Sequence, residues 1–258
     1  MSEIFIDDII NISLQAGVLI LENGGETYRA EETSTKIAKS LGAFDASCFV
    51  TPTVLIITVT DKNHKFHTAT KRIKNRNVNL QKISQINSLA LKLETQGTNI
   101  DVIQAEKELE QIKNAPNHSN IMLILMAGLS AFFFSFLFGG SVKESITAFF
   151  IGMILRVELI FLNRFNLNSF ILSIINGAVI SILCALAIVL GFVPATITVM
   201  TAVLMQVVPG MAIVNAIRDL IAGDLIAGTA RVMDAFMIAS GLSVGSVCGV
   251  LLFSHVLA

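Results

Sequence analysis

Two aspartates stand five residues apart in a tandem pentapeptide, Asp219-Leu220-Ile221-Ala222-Gly223 followed by Asp224-Leu225-Ile226-Ala227-Gly228, with Arg218 and Arg231 nearby. A carboxylate among apolar neighbours can load and release protons, because desolvation favours its neutral form. Arginine opposes that by pairing with the charged form. A five-residue step turns a helix by about 140°, so one regular helix does not present both acids on one face. Gly223 fits a break between them, which predicts a turn or re-entrant segment at the inner end of a membrane path. An ordinary cytoplasmic loop with anchoring arginines is the plainer alternative.

Three more places carry residues suited to binding small polar molecules. Pro209-Gly210 interrupts an apolar run, and a broken helix exposes backbone dipoles that can hold ions and small zwitterions; a kink repaired by neighbouring helices is the alternative. Asn215 follows five residues later, and Asn176 offers a neutral donor and acceptor within another apolar run. Arg156 lies about ten residues, or about 15 Å, into a third run. It is either a functional charge in the membrane or a cation reaching outward with Glu158 and Arg164. Near the N-terminus, Glu26, Arg29, Glu31 and Glu32 are spaced as helix-surface ion pairs, and on these residues alone a surface salt-bridge face is the reading.

Other chemistry finds little support. His64 and His67, three apart in a strand, point to opposite faces and do not suit one metal. There is no Gly-rich phosphate loop, nucleophile elbow or paired-cysteine motif, so neither an enzyme nor a metal or other cofactor is expected. Cys48, Cys184 and Cys248 are scattered and read as small buried hydrophobes. The net charge of −1 offers no field for nucleic acid.

The elements that must position these residues follow from a split in composition. Residues 1–118 hold 13 of the 18 Lys/Arg and 14 of the 19 Asp/Glu, and 119–258 only five of each, while the mean hydropathy of the whole chain is +0.73. The pattern predicts a membrane protein: an α+β cytoplasmic domain over 1–118, then a five-helix transmembrane bundle over 119–258. Phe5, Ile9, Ile12, Ala16 and Leu19 mark an amphipathic first helix, stopped at Asn23-Gly24-Gly25. A second helix is expected over 26–41, strands near 44–51, 53–60 and 64–71 with Pro52 at a bulge or junction and a turn at 61–63, and helices near 78–96 and 100–113 separated at Gly97-Thr98. Apolar runs at 120–138, 145–162, 169–192, 195–217 and 233–256 each approach the roughly 20 residues of a span.

Lys107, Lys113, Arg164, Arg218 and Arg231 fall on one side of that arrangement and Lys143 alone on the other. The positive-inside rule then puts the N-terminus in the cytoplasm and, with five spans, the C-terminus outside. Acidic residues at the start, where a secretory leader would be basic, agree. The stripe Gly241–Gly245–Gly249 is a small-xxx-small face on which another helix can close tightly, offered here as a surface for a partner.

Val208-Pro209-Gly210, Asn215-Ala216, Asp219, Gly223-Asp224, Gly228 and Arg231, together with Gly24-Gly25-Glu26-Thr27-Tyr28-Arg29-Ala30-Glu31, Gly42 and Val50-Thr51-Pro52-Thr53, resemble the signature of the threonine/serine exporter family. The two groups lie about 180 residues apart in the family's order, and the resemblance covers nearly the whole chain. It implies a secondary exporter of threonine and serine driven by the proton motive force in a bacterial inner membrane, with succinate-type dicarboxylates as the alternative cargo. It resembles the larger subunit of the family's split form, which implies a smaller five-helix membrane subunit as partner, with a homo-oligomer of that pair a further possibility, and lipid as the surrounding solvent. It also raises Glu26, Arg29 and Glu31 from a surface face to a functional or interface cluster. A membrane-anchored scaffold or sensor is the competing class; polar residues and a helix break inside the spans favour the exporter.

Overall fold

Alternation along Val54–Thr60 puts Leu55, Ile57 and Val59 on one face of a strand, and all three are fully buried. In the computed structural model this strand, β2, is the centre of a three-stranded antiparallel sheet with β1 (Asp45–Val50) and β3 (Phe66–Arg72), in the order β1-β2-β3. The register sets Ser47 opposite Thr58 and Thr58 opposite Thr68. The structure describes residues 6–74, 77–96, 102–116, 118–165, 167–194 and 197–257; Phe5 and the Gly97-Thr98 separator lie outside them. The chain divides into two compact units, the first made of residues 1–116 and 211–233, the second of 117–210 and 234–258.

In the first unit, helix α1 (Ile6–Glu22) is followed by α2 (Thr27–Ser40), the sheet, α3 (Leu80–Gln96) and α4 (Val102–Asn114). The expected amphipathic α1 is present, with Asp7, Asp8, Asn11 and Gln15 exposed on one side. Ile9, Ile10, Ile12, Leu14, Ala16, Val18, Leu19, Ile20 and Leu21 are all buried, because α2, the sheet, α3 and α4 pack around it. It is the central element of this core. Gly17 permits the closest approach: a Cβ there would stand 2.1 Å from Ser34 Oγ. Pro52 sits in the β1–β2 connection, where no ladder hydrogen bond is needed. The turn after β2 is held by Asp61, whose Oδ1 accepts from the backbone N–H groups of Asn63 and Lys65.

The second unit contains α5 (Asn120–Leu137), α6 (Val142–Leu162) with a short 3₁₀ turn (Asn163–Phe165), α7 (Ser169–Val189), α8 (Ile197–Leu204) and most of α10 (Leu225–Leu257). Ser119 and Asn168 cap α5 and α7, and Ser141 with Glu144 forms a reciprocal capping box at α6. Among the described residues four helices are long and apolar enough to cross a membrane: Asn120–Leu137, Val142–Phe165, Ser169–Val189 and Leu225–Ser254.

The apolar run at 195–217 is interrupted next to Pro209-Gly210, as the sequence leads one to expect. It is two helices, α8 and α9 (Gly210–Ala222), parted at Met205–Pro209. At 8 and 13 residues they measure about 12 and 20 Å, too short to cross singly. Most of α9, with the opening turns of α10, belongs to the first unit. The glycine stripe is also corrected as a surface for a partner. A Cβ at Gly241, Gly245 or Gly249 would lie 2.8, 2.0 or 2.6 Å from the α7 carbonyls of Phe170, Ile174 and Ala178, so this face is occupied by α7 of the same chain.

Candidate functional site

The N-terminus of α2 is built on a glycine turn. Gly24 adopts φ +88°, and the Gly25 N–H returns to the Ile20 carbonyl at 2.9 Å. A Cβ on Gly25 would strike Ile20 Cγ2 at 2.3 Å, so the backbone reverses tightly against α1. Glu26 then occupies the N-cap position in extended geometry but makes no side-chain cap. The first turn of any helix leaves N–H groups without intrahelical partners, and its positive end favours an anion.

That anion comes from 192 residues further along the chain. The Thr27 N–H donates to Asp219 Oδ1 at 3.3 Å, and the Thr27 hydroxyl donates to the same oxygen at 2.6 Å. Asp219 is wholly buried on α9, and its other oxygen faces Arg231 Nε at 2.9 Å. Arg231 Nη2 donates to the Gly25 carbonyl at 2.8 Å, and Asn215 Nδ2 donates to the Gly24 carbonyl at 2.8 Å. The turn of α1–α2 is thus gripped by an asparagine and an aspartate one helical turn apart on α9 and by an arginine on α10.

The tandem pentapeptide explains how both aspartates reach the same place. Its first copy ends α9, where Gly223 takes φ +92° and the Asp224 N–H closes back on the Asp219 carbonyl at 2.9 Å. Its second copy opens α10, and the Asp224 carbonyl accepts from Gly228. The chain reverses between the copies, so Asp224 Oδ2 lies 3.2 Å from the Thr27 hydroxyl. A Cβ on Gly228 would meet Leu220 Cγ at 2.6 Å, which fixes how tightly α9 and α10 cross. The expected break at Gly223 is therefore present as a helix–turn–helix.

Glu26 closes the other side. Its carboxylate pairs with Arg29 Nε at 3.1 Å and with Arg218 Nη1. Burial would push this carboxyl up, but its own backbone N–H, the Arg218 hydrogen bond and the charges of Arg29 and Arg218 outweigh that and hold it below the usual range. Glu31, one turn along α2, is half-buried, and its carboxyl is pushed up by burial and by the charge of Asp224. Beyond it, burial and the Glu31 charge push the Cys48 thiol up to about 12. The acids of this site thus divide into two that face arginine, Glu26 and Asp219, and two that face each other, Glu31 and Asp224.

Of the residues singled out from the sequence, Glu26, Arg29, Asn215, Asp219, Asp224 and Arg231 meet here, with Glu31 at the margin. Arg156, Asn176, Pro209 and Gly210 belong to the second unit. There Asn176 is buried on α7 with Oδ1 unpartnered among the described residues, and Arg156 on α6 has a buried Nε in the same condition. At the break, the Gly210 N–H is taken by the Val208 carbonyl at 2.8 Å, so this donor is not free for a ligand as the sequence reading required.

Two participants were missed. Thr27 was quoted as part of a motif but given no role; a hydroxyl directly after the Gly24-Gly25-Glu26 helix start was the available signal. Gln206 stands in the α8–α9 break with its Nε2 buried, and a Cβ on Gly152 of α6 would be 2.5 Å from it. An amide inside an apolar run three residues before a proline is itself a marker.

Residues 11–253 match the family model described as "Putative threonine/serine exporter" (ThrE). A protein of Klebsiella aerogenes named "Probable succinate transporter subunit YjjP" is 25% identical over 95% of this chain and 92% of its own length. Its counterpart of the same name in Escherichia coli is 23% identical over 95% and 93%. A "Probable threonine/serine exporter" of Mycobacterium tuberculosis is 20% identical over 92% of this chain but 45% of its own length. No solved structure matches.

Proposed function

This chain belongs to the threonine/serine exporter family, a family of membrane transporters, and from that membership we infer that it is one subunit of a secondary exporter of small carboxylate-bearing metabolites, driven by the proton motive force across a bacterial inner membrane. The observation that carries the reading is the assembly of buried Thr27, Asp219, Arg231 and Glu26 with half-buried Asp224. It joins titratable acids to the helical hairpin that directly follows the broken apolar segment. A membrane anchor needs no such network.

Parity supports five passes, and the Lys/Arg asymmetry supports an N-terminus inside. The first unit holds both the residues ahead of α5 and the opening turns of α10. Three helices, α5, α6 and α7, cross in between. The chain must therefore return once more before Leu225, and the stretch available is α8 with the break after it. In that stretch the Gln206 amide against Gly152, with Arg156 one helical turn along α6 and Asn176 on α7, offers a cation and neutral donors for a carboxylate.

The cargo follows the family description, threonine and serine. Succinate-type dicarboxylates are the second reading, favoured by the two relatives named as succinate transporter subunits, which align over nearly their whole length. The same alignments, set against the 45% of the M. tuberculosis exporter, support a split form with a smaller five-helix subunit as partner. Flux of labelled threonine, serine and succinate, measured in proteoliposomes holding both subunits under an imposed pH gradient, tests this. Gradient-driven flux of one cargo is expected. No gradient dependence for any of the three overturns it.

A further inference from the structure

Hydrogen counting at Thr27 separates the roles of the two aspartates. A threonine hydroxyl has one hydrogen and two lone pairs. The contact to Asp219 is 2.6 Å and the contact to Asp224 is 3.2 Å. Hydroxyl–oxygen bonds cluster at about 2.7–2.8 Å, so the single hydrogen belongs to Asp219, which also receives the Thr27 N–H and faces Arg231. With that hydrogen committed, the Asp224 contact sets two oxygens together with no hydrogen between them. It becomes a hydrogen bond when Asp224 itself brings one.

We propose that Thr27 is the positioning residue of the proton-coupling acids: its hydrogen fixes Asp219, and its oxygen is the waiting acceptor for a proton carried by Asp224. Loading Asp224 then completes the chain Asp224 O–H to Thr27 Oγ1, Thr27 O–H to Asp219 Oδ1, and tightens the start of α2 on the α9–α10 turn. Unloading leaves the carboxylates of Asp224, Asp219 and Glu31 near one another. No bond to Thr27 is broken in either state; only the proton on Asp224 comes and goes.

The surrounding charges agree with this division. Arg231 serves Asp219, while Arg218 and Arg29 serve Glu26. The charged group facing Asp224 from α2 is Glu31, an acid whose own proton is held more tightly by burial and then by the charge of Asp224, and Cys48 of β1 lies behind Glu31. Asp224 therefore stands at the acidic end of the network, beside Glu31 and 3.2 Å from the Thr27 oxygen.

The inference rests on the reading of Asp219 and Asp224 as proton-coupling groups, and its test is separable from that reading. In the full chain reconstituted in lipid, the infrared carbonyl band of protonated carboxylic acids is titrated with pH. Asp224→Asn is expected to remove one titrating group. Thr27→Val keeps the backbone N–H and the shape but lacks the acceptor, and is expected to move that group's midpoint toward acid by about one pH unit, a tenfold change. Thr27→Ser is expected to restore it. If Thr27→Val does not assemble, Thr27→Ala carries the same comparison. An unmoved midpoint, a shift toward alkali, or no rescue by serine overturns the role of Thr27. Separately, full proton-driven flux in both Asp219→Asn and Asp224→Asn overturns the underlying reading, whatever the titration shows.

Discussion

Replacing Asp219 by asparagine keeps the side-chain shape and an oxygen for Thr27 but removes the negative charge that faces Arg231 Nε at 2.9 Å. Asp219 is wholly buried and the Arg231 side chain is 11% exposed, so solvent screens this pair little. Removing one member of a buried ion pair costs about 3–5 kcal/mol, chiefly because the other charge is stranded. That figure exceeds what the retained oxygen can return through one neutral hydrogen bond, about 0.5–1.5 kcal/mol. The loss should be local, since the anchored parts are the start of α2 and the α9–α10 turn. Hydrogen exchange on the full chain reads it directly: the Thr27 amide, which donates to Asp219, and the Ala30 amide, which closes on the Glu26 carbonyl, should lose protection by roughly 10²–10⁴-fold. The amide of Ile57 in the central strand should be unchanged. The double variant Asp219→Leu/Arg231→Met removes both charges at once and should regain most of the protection. A loss below tenfold in the single variant would refute the reasoning. So would a double variant as exposed as the two single variants added together.

Four further outcomes follow from the same geometry. Gly245→Ala drives a methyl to within 2.0 Å of the Ile174 carbonyl and should force α7 and α10 apart at a cost of about 1–3 kcal/mol, seen as a lower melting temperature in detergent; an unchanged melt contradicts the packing. Glu26 has a depressed carboxyl, so its contribution to stability is present above the ordinary glutamate value of 4.5 and is lost as pH falls through its lower folded value; acid unfolding of Glu26→Gln should accordingly be flatter than wild type in that window. For topology, a cysteine at Ser141 should be labelled from outside intact cells and one at Lys71 should not; the reverse pattern would overturn the orientation drawn from the Lys/Arg asymmetry, and labelling of both would remove the parity argument. Pro209→Ala with Gly210→Ala should join α8 to α9 and slow export; wild-type flux with unchanged apparent affinity would make the break a plain kink and move attention to Arg156.

Much of the first unit was legible because its signals are local. Strand alternation at Leu55, Ile57 and Val59 depends only on neighbours two apart, and the helix ends at Gly24 and Gly42 on residues able to take positive φ. The break at Gly223 was legible for the same reason, and so was the incompatibility of a five-residue repeat with one helical face. The number of elements that surround α1 was not, because its apolar residues say nothing of what covers them. Nor was the assignment of α9. Within the expected span at 195–217, Ile213, Val214 and Ile217 outweigh Asn215, so the first turns of α9 read as membrane. Read by face, Asn215 and Asp219 are four apart and align. Both are buried, while Ile217 and Ile221 are exposed, so the polar stripe of α9 is the one that packs inward. The grip itself lay beyond local reading, since periodicity is blind to a contact between Thr27 and a residue 192 positions away. The chemistry of the two ends still carried half the information: a glycine turn that opens a helix without a side-chain cap needs an anion, and a buried aspartate on a helix needs donors. Each of these deficits is met by the other, which is why the two motifs meet in one cluster.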